Sequence, residues 1–377
     1  MQFRDLQKQY EVLKPQIDAA VQKVCAQANY ISGQEVKELE QQLADYVGVK
    51  HCITCANGTD ALTLILMAWG IGPGDAVLVP DFTFFASGET VAYEGATPLF
   101  VDVDERTFNL DPDKLEKKIC EVKAQGKYNL RAVVAVDLFG LPADYTRIEA
   151  ICKKYGLLLL EDGAQGFGGT ISRRRVGSFG DAAATSFFPA KPLGCYGDGG
   201  AIFTNNDEWA ALIRSYAVHG KGSMKYDNVR LGMNSRLDTI QAAILQVKLK
   251  AFAEYELDGV EQVSRWYDEA LKDSKLTLPH RPEGFTSSWA QYTVQLPAGT
   301  DRDALQAKLK EQGIPTMVYY PKPMHLQKAF EGTDSAEADC PVTERLCATV
   351  LSLPMHPYMT SEVCYALSEK IVEAVKG

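Results

Sequence analysis

The 377-residue chain carries 39 Lys+Arg against 49 Asp+Glu, a net charge of −10 at pH 7, with 46% hydrophobic and 23% charged residues. These proportions exclude a disordered or fibrous protein, and the acidic balance excludes a nucleic-acid binder that relies on a basic face for phosphates. The longest apolar runs, 61–69 and 157–160, fall far short of the roughly 20 residues that cross a bilayer, so no membrane span is expected. A chain of this length exceeds what one hydrophobic core usually supports, which predicts two unequal domains. The opening Met1-Gln2-Phe3-Arg4-Asp5 lacks a basic stretch followed by an apolar one, so a cytoplasmic protein is expected, with its nine cysteines as free thiols. Cys52 and Cys55 form an isolated CxxC in an apolar run, which favours a structural role over a zinc ribbon, and no metal site is expected.

In chain order, Val36, Leu39, Leu43 and Val47 recur at helical spacing and predict an amphipathic helix over 34–47. Seven short apolar or β-branched runs follow, at 51–55, 76–80, 98–103, 131–139, 157–161, 182–188 and 201–204. Near-continuous apolar character, as in Val133-Val134-Ala135-Val136, belongs to strands covered on both faces. The fold class is therefore α/β, a seven-stranded mainly parallel sheet between helices. The seventh run follows the sixth after a connection too short for a helical crossover, so it is predicted to run antiparallel or to lie apart. A long helical segment is predicted over 239–272, then a strand over 291–296, a helix over 303–312, a run through Val318 and a terminal helix from Ser361. The division expected is a large cofactor-binding α/β domain over 1–247 and a small C-terminal α+β domain over 248–377.

Three segments carry chemistry. Glu161-Asp162-Gly163-Ala164-Gln165 puts a carboxylate at the carboxyl edge of a parallel sheet, where open α/β folds bind ligands, although Asp162 also suits a plain helix cap. Ser186-Phe187-Phe188-Pro189-Ala190-Lys191 ends a buried strand in a lysine ahead of a glycine-dense loop. A Schiff-base lysine needs such a setting; the bland reading is a lysine that merely flanks a flexible loop. Asn57-Gly58-Thr59-Asp60 joins a strand to an apolar helix, a junction that either binds phosphate or simply caps the helix. A phosphate cradle, a strand-end carboxylate and a lysine 29 residues beyond that carboxylate are what pyridoxal phosphate chemistry requires. Arg173-Arg174-Arg175 reads as a solvated turn or as a contact for a substrate diphosphate, and His219 and His325 are possible neighbours of the site.

The motifs from Phe3-Arg4-Asp5-Leu6 through Tyr30-Ile31-Ser32-Gly33, Asn57 to Leu62, Thr83-Phe84, Glu161 to Gln165, Ser186 to Gly200 and Gly232 to Asp238, ending at Tyr320-Pro321, span nearly the whole chain. In them the sequence resembles the DegT/DnrJ/EryC1/StrS sugar aminotransferases, which have the pyridoxal-phosphate-dependent transferase fold type I. The resemblance implies that Lys191 carries pyridoxal 5'-phosphate and is catalytic, that Asp162 pairs with the ring nitrogen and that Gln165 contacts the ring hydroxyl. It further implies that Gly58, Thr59 and Ser186 hold the phosphate, that Phe84 stacks on the ring, and that Asn234 reaches the cofactor of a neighbouring subunit in a homodimer with shared active sites. The lysine segment looks most like enzymes of O-antigen synthesis that aminate UDP-linked 2-acetamido-3-keto-glucuronic acid. The implied function is transfer of an amino group from L-glutamate to a nucleotide-linked keto-sugar, most simply at C3, by a ping-pong mechanism. Arg230, Tyr319 and Tyr320 are the implied substrate contacts. A 4-aminotransferase and a non-catalytic regulator that binds the cofactor are the alternatives. Two positions depart from the family pattern: Gly163, where alanine is common, and Tyr319, where histidine is common.

Overall fold

The computed structural model describes residues 1–224 and 226–376. Its strands are β1 (His51–Cys55), β2 (Asp75–Pro80), β3 (Thr97–Val101), β4 (Asn129–Val136), β5 (Leu158–Asp162), β6 (Thr170–Ile171), β7 (Arg174–Arg175), β8 (Ala182–Ser186), β9 (Gly200–Thr204), β10 (Phe285–Thr286), β11 (Tyr292–Gln295) and β12 (Val350–Leu353). The main sheet has the order β1-β9-β8-β5-β4-β2-β3, seven strands as the apolar runs predict. Strand β9 is antiparallel to both β1 and β8, and the other pairings are parallel.

Alternation along the central strands explains the continuous apolar runs. Val77, Val79, Val134 and Leu160 point into a core on one face, while Ala76, Leu78, Val133, Ala135 and Leu159 point into a second core on the other. Each face is covered by helices, so neither set reaches water. Strand β4 stops at Val136, three residues before the predicted end. Asp137-Leu138-Phe139 leaves the sheet as a tight turn, with Phe139 at φ 58° and the Asp137 carboxylate accepting the Ala143 N–H at 3.0 Å.

Beyond the sheet, the predicted long helix consists of Thr239–Ala251, a π-turn at Phe252–Glu256 and Leu257–Leu271. Its second half packs Val260, Val263 and Tyr267 against Tyr292, Val294, Leu351, Leu353, Leu367 and Ile371, a third core built on the antiparallel pair β11/β12. The run through Val318 forms no strand; Met317 makes an isolated bridge to Ser352. Met324, Phe330 and Leu346 return to the first core beside Phe100. Sequence reading missed the N-terminal helix Leu6–Gln27, whose Leu13, Ile17 and Val24 are buried although Pro15 interrupts its pattern. No helix among the described residues is long and apolar enough to cross a membrane.

Candidate active site

Five carboxyl-edge segments of the sheet, after β1, β2, β4, β5 and β8, converge on a cavity of about 500 Å³. From β1 the chain turns through Asn57, whose side chain caps the helix Gly58–Ala68 by accepting the Asp60 N–H at 2.8 Å. The helix N-terminus faces Ser186 so closely that a Cβ at Gly58 would come within 2.7 Å of the Ser186 Cβ. Glycine is thus required where the cradle meets the end of β8, and Gly58, Thr59 and Ser186 all line the cavity. Backbone N–H groups at such a terminus, together with the positive end of the helix dipole, favour an anion.

Asp162 ends β5, is 6% exposed and lines the same cavity. Its Oδ2 accepts the Ser87 hydroxyl at 2.7 Å and its Oδ1 the Ala164 N–H at 3.3 Å. Burial pushes this carboxyl above the usual range, while the Ser87 bond, the charge of Lys191 and the Ala164 bond pull it down. Lys191 follows β8 and opens onto the cavity; enclosure lowers its amine from the ordinary value, Asp162 opposes the fall and Arg4 adds to it. A buried carboxylate thus shares the cavity with a half-buried amine of lowered proton affinity, a pairing that marks a candidate reactive site.

Gln165 is held in one orientation: its Oε1 accepts the Phe139 N–H at 2.8 Å, which leaves Nε2 to donate to the Tyr320 hydroxyl at 3.1 Å. Phe84, 53% exposed, stands 6.1 Å from the Tyr320 ring, and both line the cavity with Tyr319. Two predicted site residues are outside it. Asn234 bridges to Val218 and accepts Arg236 Nη2 at 2.6 Å, and Arg230 donates to Ser215 Oγ with its guanidinium 5.6 Å from the Tyr216 ring. His219 lies in a turn at φ 58°, and buried His325 pairs through Nδ1 with Asp81 at 2.7 Å; neither lines the cavity. The Arg173 cluster lies outside the cavity, where Arg174 pairs with Glu149 at 2.8 Å and Arg175 stacks 4.2 Å from the Tyr46 ring.

A model of the DegT/DnrJ/EryC1/StrS aminotransferase family matches residues 11–375. The chain belongs to this family. A Pseudomonas aeruginosa relative named UDP-2-acetamido-2-deoxy-3-oxo-D-glucuronate aminotransferase is 46% identical over 98% of this chain and 99% of its own. A Geobacillus stearothermophilus relative named pleiotropic regulatory protein is 44% identical over 98% of this chain and 97% of its own. A crystal structure of a DegT DnrJ EryC1 StrS aminotransferase from Brucella abortus superposes with a TM-score of 0.94 at 48% identity, covering 100% of this chain and 99% of that one. The Bacillus subtilis protein NtdA, solved with bound cofactor PMP, gives a TM-score of 0.87 at 28% identity over 97% of this chain and 82% of its own.

Within this aminotransferase fold, sequence reading missed the groups that brace the site. Ser87 and Thr83 share a hydrogen bond at 3.0 Å, and the Ser87 hydroxyl donates to Asp162. Gly163 has a steric cause: a Cβ there would meet Val176 Cγ1 at 2.8 Å. Behind Asp162 lie two fully buried carboxyl groups, Glu161 on β5 and Asp137 in the turn that follows β4. The Glu161 oxygens accept the Gly177 and Phe179 N–H groups at 2.7 and 2.8 Å, and Asp137 Oδ1 accepts the Tyr145 hydroxyl at 2.9 Å. Burial outweighs these bonds and lifts Asp137 to about 7. A folded value above the unfolded one gives stability that is full below the unfolded value and fades as pH rises through the folded one. Asp137→Asn, which keeps an acceptor for Tyr145, should therefore gain on the wild type between pH 5 and 8 by on the order of a few kcal/mol, read by urea unfolding at each pH.

Proposed function

We propose that the chain moves an amino group from L-glutamate to C3 of a UDP-linked 3-keto-sugar, using pyridoxal 5'-phosphate carried by Lys191. The observation that supports this most is the shared cavity of Lys191, Asp162 and the N-terminus of the helix Gly58–Ala68. The donor set suits the cofactor: backbone N–H groups and a hydroxyl for a phosphate, a buried carboxylate for a ring cation, and an amine of lowered proton affinity for an aldehyde. When bound, pyridoxal phosphate supplies that aldehyde and a ring that draws electrons from the reacting carbon.

In this reading the Gly58 and Thr59 N–H groups and the Ser186 hydroxyl bind the phosphate. Asp162, fixed by Ser87, holds a positive charge at the ring nitrogen. Gln165, oriented by Phe139 and Tyr320, donates toward the ring hydroxyl, and Phe84 covers one ring face and excludes water. Lys191 holds and moves a proton at Nζ. Tyr319 and Tyr320 belong to the smaller part of the chain, divided from the larger at 247/248, and receive the sugar. Asn234 and Arg230 serve the cavity of a second copy. The exposed side chains of Met224, Val229 and Leu231, which flank or adjoin Arg230, favour such a homodimer, with the partner subunit covering them. The nine unpaired cysteines favour a reducing, cytoplasmic setting.

The name of the Pseudomonas aeruginosa relative supports a UDP-3-keto-uronate as substrate. A guanidinium fork suits the carboxylate of such a sugar. Arg230→Gln should accordingly raise KM for a uronate about 10- to 100-fold and leave that for a carboxylate-free analogue unchanged, as measured by initial rates. The name of the Geobacillus relative favours a second reading, a regulator that binds the cofactor without turnover. Incubating the purified protein with glutamate and a panel of UDP- and dTDP-linked 3-keto- and 4-keto-sugars decides between them. A UDP-3-amino sugar is the expected product. A 4-amino product alone would replace C3 by C4, and a visible band that never bleaches with any amino donor would leave the regulator.

A further inference from the structure

Behind Lys191 lies a segment that none of the site residues accounts for, the few residues ahead of the helix Leu6–Gln27. The Phe3 carbonyl accepts the Met355 N–H at 3.0 Å, and the Phe3 ring meets Tyr319 edge-on at 6.3 Å. The next residue reaches the other wall: Arg4 Nη2 donates to the carbonyl of Pro192, the residue directly after Lys191, at 3.3 Å. Asp5 then caps the helix by accepting the Lys8 N–H at 2.8 Å. One short segment therefore ties the turn of Tyr319 and Tyr320 to the loop of Lys191.

Arg4 keeps a solvent-accessible edge, yet its guanidinium is enclosed by enough protein that burial lowers it to about 10, with Glu256 opposing. Its charged surroundings are themselves enclosed: Lys248 is 2% exposed and Glu256 is 4% exposed. That carboxylate is already engaged by Gln9 Nε2 at 2.8 Å and by the Tyr358 hydroxyl at 2.5 Å. Burial brings Lys248 down to about 8, with Glu256 opposing and Arg4 adding to the fall. His356, drawn to about 4 by burial, has Asp5 opposing and Arg4 adding again. Lys191 thus has Asp162 as its anionic neighbour and Arg4 as its cationic one.

We propose that Arg4 is a positioning residue for the transamination: its bond to the Pro192 carbonyl fixes the loop of Lys191, and its charge favours the neutral, nucleophilic form of the Lys191 amine. A cation beside an enclosed lysine disfavours a second positive charge, because the site lacks the water that would screen the two from each other. This rests on Lys191 as the cofactor-bearing residue, and it adds a group outside the cavity that tunes it.

The test uses full-length, cofactor-free protein and the pH dependence of the rate at which it captures pyridoxal phosphate, followed by the rise of the visible band. Arg4→Gln keeps a donor for Pro192 and loses the charge; Arg4→Lys keeps the charge. The Gln variant is expected to raise the midpoint of this profile by about one unit, a ~tenfold tighter hold on the proton, while the Lys variant stays with the wild type. A midpoint in Arg4→Gln equal to that of the wild type, whether or not turnover falls, would overturn the role for Arg4 and leave that of Lys191 standing. A wild-type protein that develops no visible band would overturn both.

Discussion

Replacing Lys191 by methionine is expected to lower turnover by about 10⁴-fold or more, because in the proposed function this one group both holds the cofactor covalently and moves the proton. Among the described residues that line the cavity, Lys191 is the only one with an amine or guanidinium, so no neighbour stands ready to take over. Methionine keeps the length and apolar stem of the side chain, which isolates the loss of the amine. The variant should melt no lower than the wild type when both are free of cofactor, since an enclosed amine is replaced by a side chain that suits its surroundings. The measurements are amino-sugar formation under single-turnover conditions and the visible spectrum after exposure to pyridoxal phosphate. Turnover within tenfold of the wild type would end the assignment of Lys191.

Asp162→Asn is the second large effect. The amide fills the same space and keeps an acceptor for Ser87 while giving up the longer Ala164 bond, but it cannot hold a positive charge at the ring nitrogen. A loss of about 10²- to 10³-fold in kcat is expected, the usual cost of removing one preorganised electrostatic partner. Stability should move the other way. Burial raises the folded carboxyl above its ordinary value, so its contribution is present at low pH and is lost as pH rises through the folded value. The cofactor-free variant is therefore expected to unfold at higher urea than the wild type at pH 8, with the gap closing toward pH 4. A variant both inactive and less stable at pH 8 would instead mean that Asp162 serves the fold.

What the sequence disclosed, and what it withheld, follows from how far apart interacting residues lie. Strands β4 and β5 were legible because burial on both faces leaves no polar interruption in Val133 to Val136 or Leu158 to Leu160. Lys191 and Asp162 stood out as charges at the ends of such runs. Ser87, by contrast, lies 75 residues from the carboxylate it braces, and Arg4 lies 188 from the carbonyl it holds, so no local pattern betrays either. Asp137 looked like the continuation of a strand, and only its bonds to Ala143 and Tyr145 reveal the turn that orients Gln165. Arg230 and Asn234 lie outside the cavity of their own chain, and the resemblance alone points to them.

Strand β9 also bears on synthesis. It lies between β1, which leads into the cradle, and β8, which leads to the lysine, and Gly200 is registered with both Cys55 and Ser186. A Cβ at Gly200 would come within 2.5 Å of the Asn57 carbonyl oxygen, so the wedge between the two walls is bare backbone. A ribosome must therefore release more than half of the 377 residues before cradle and lysine can be brought to their final spacing. Until Thr204 is free, the nascent chain has the parallel strands but not the wedge that spaces the cradle from the lysine, so the proposed cofactor site can be completed only late in translation or after it.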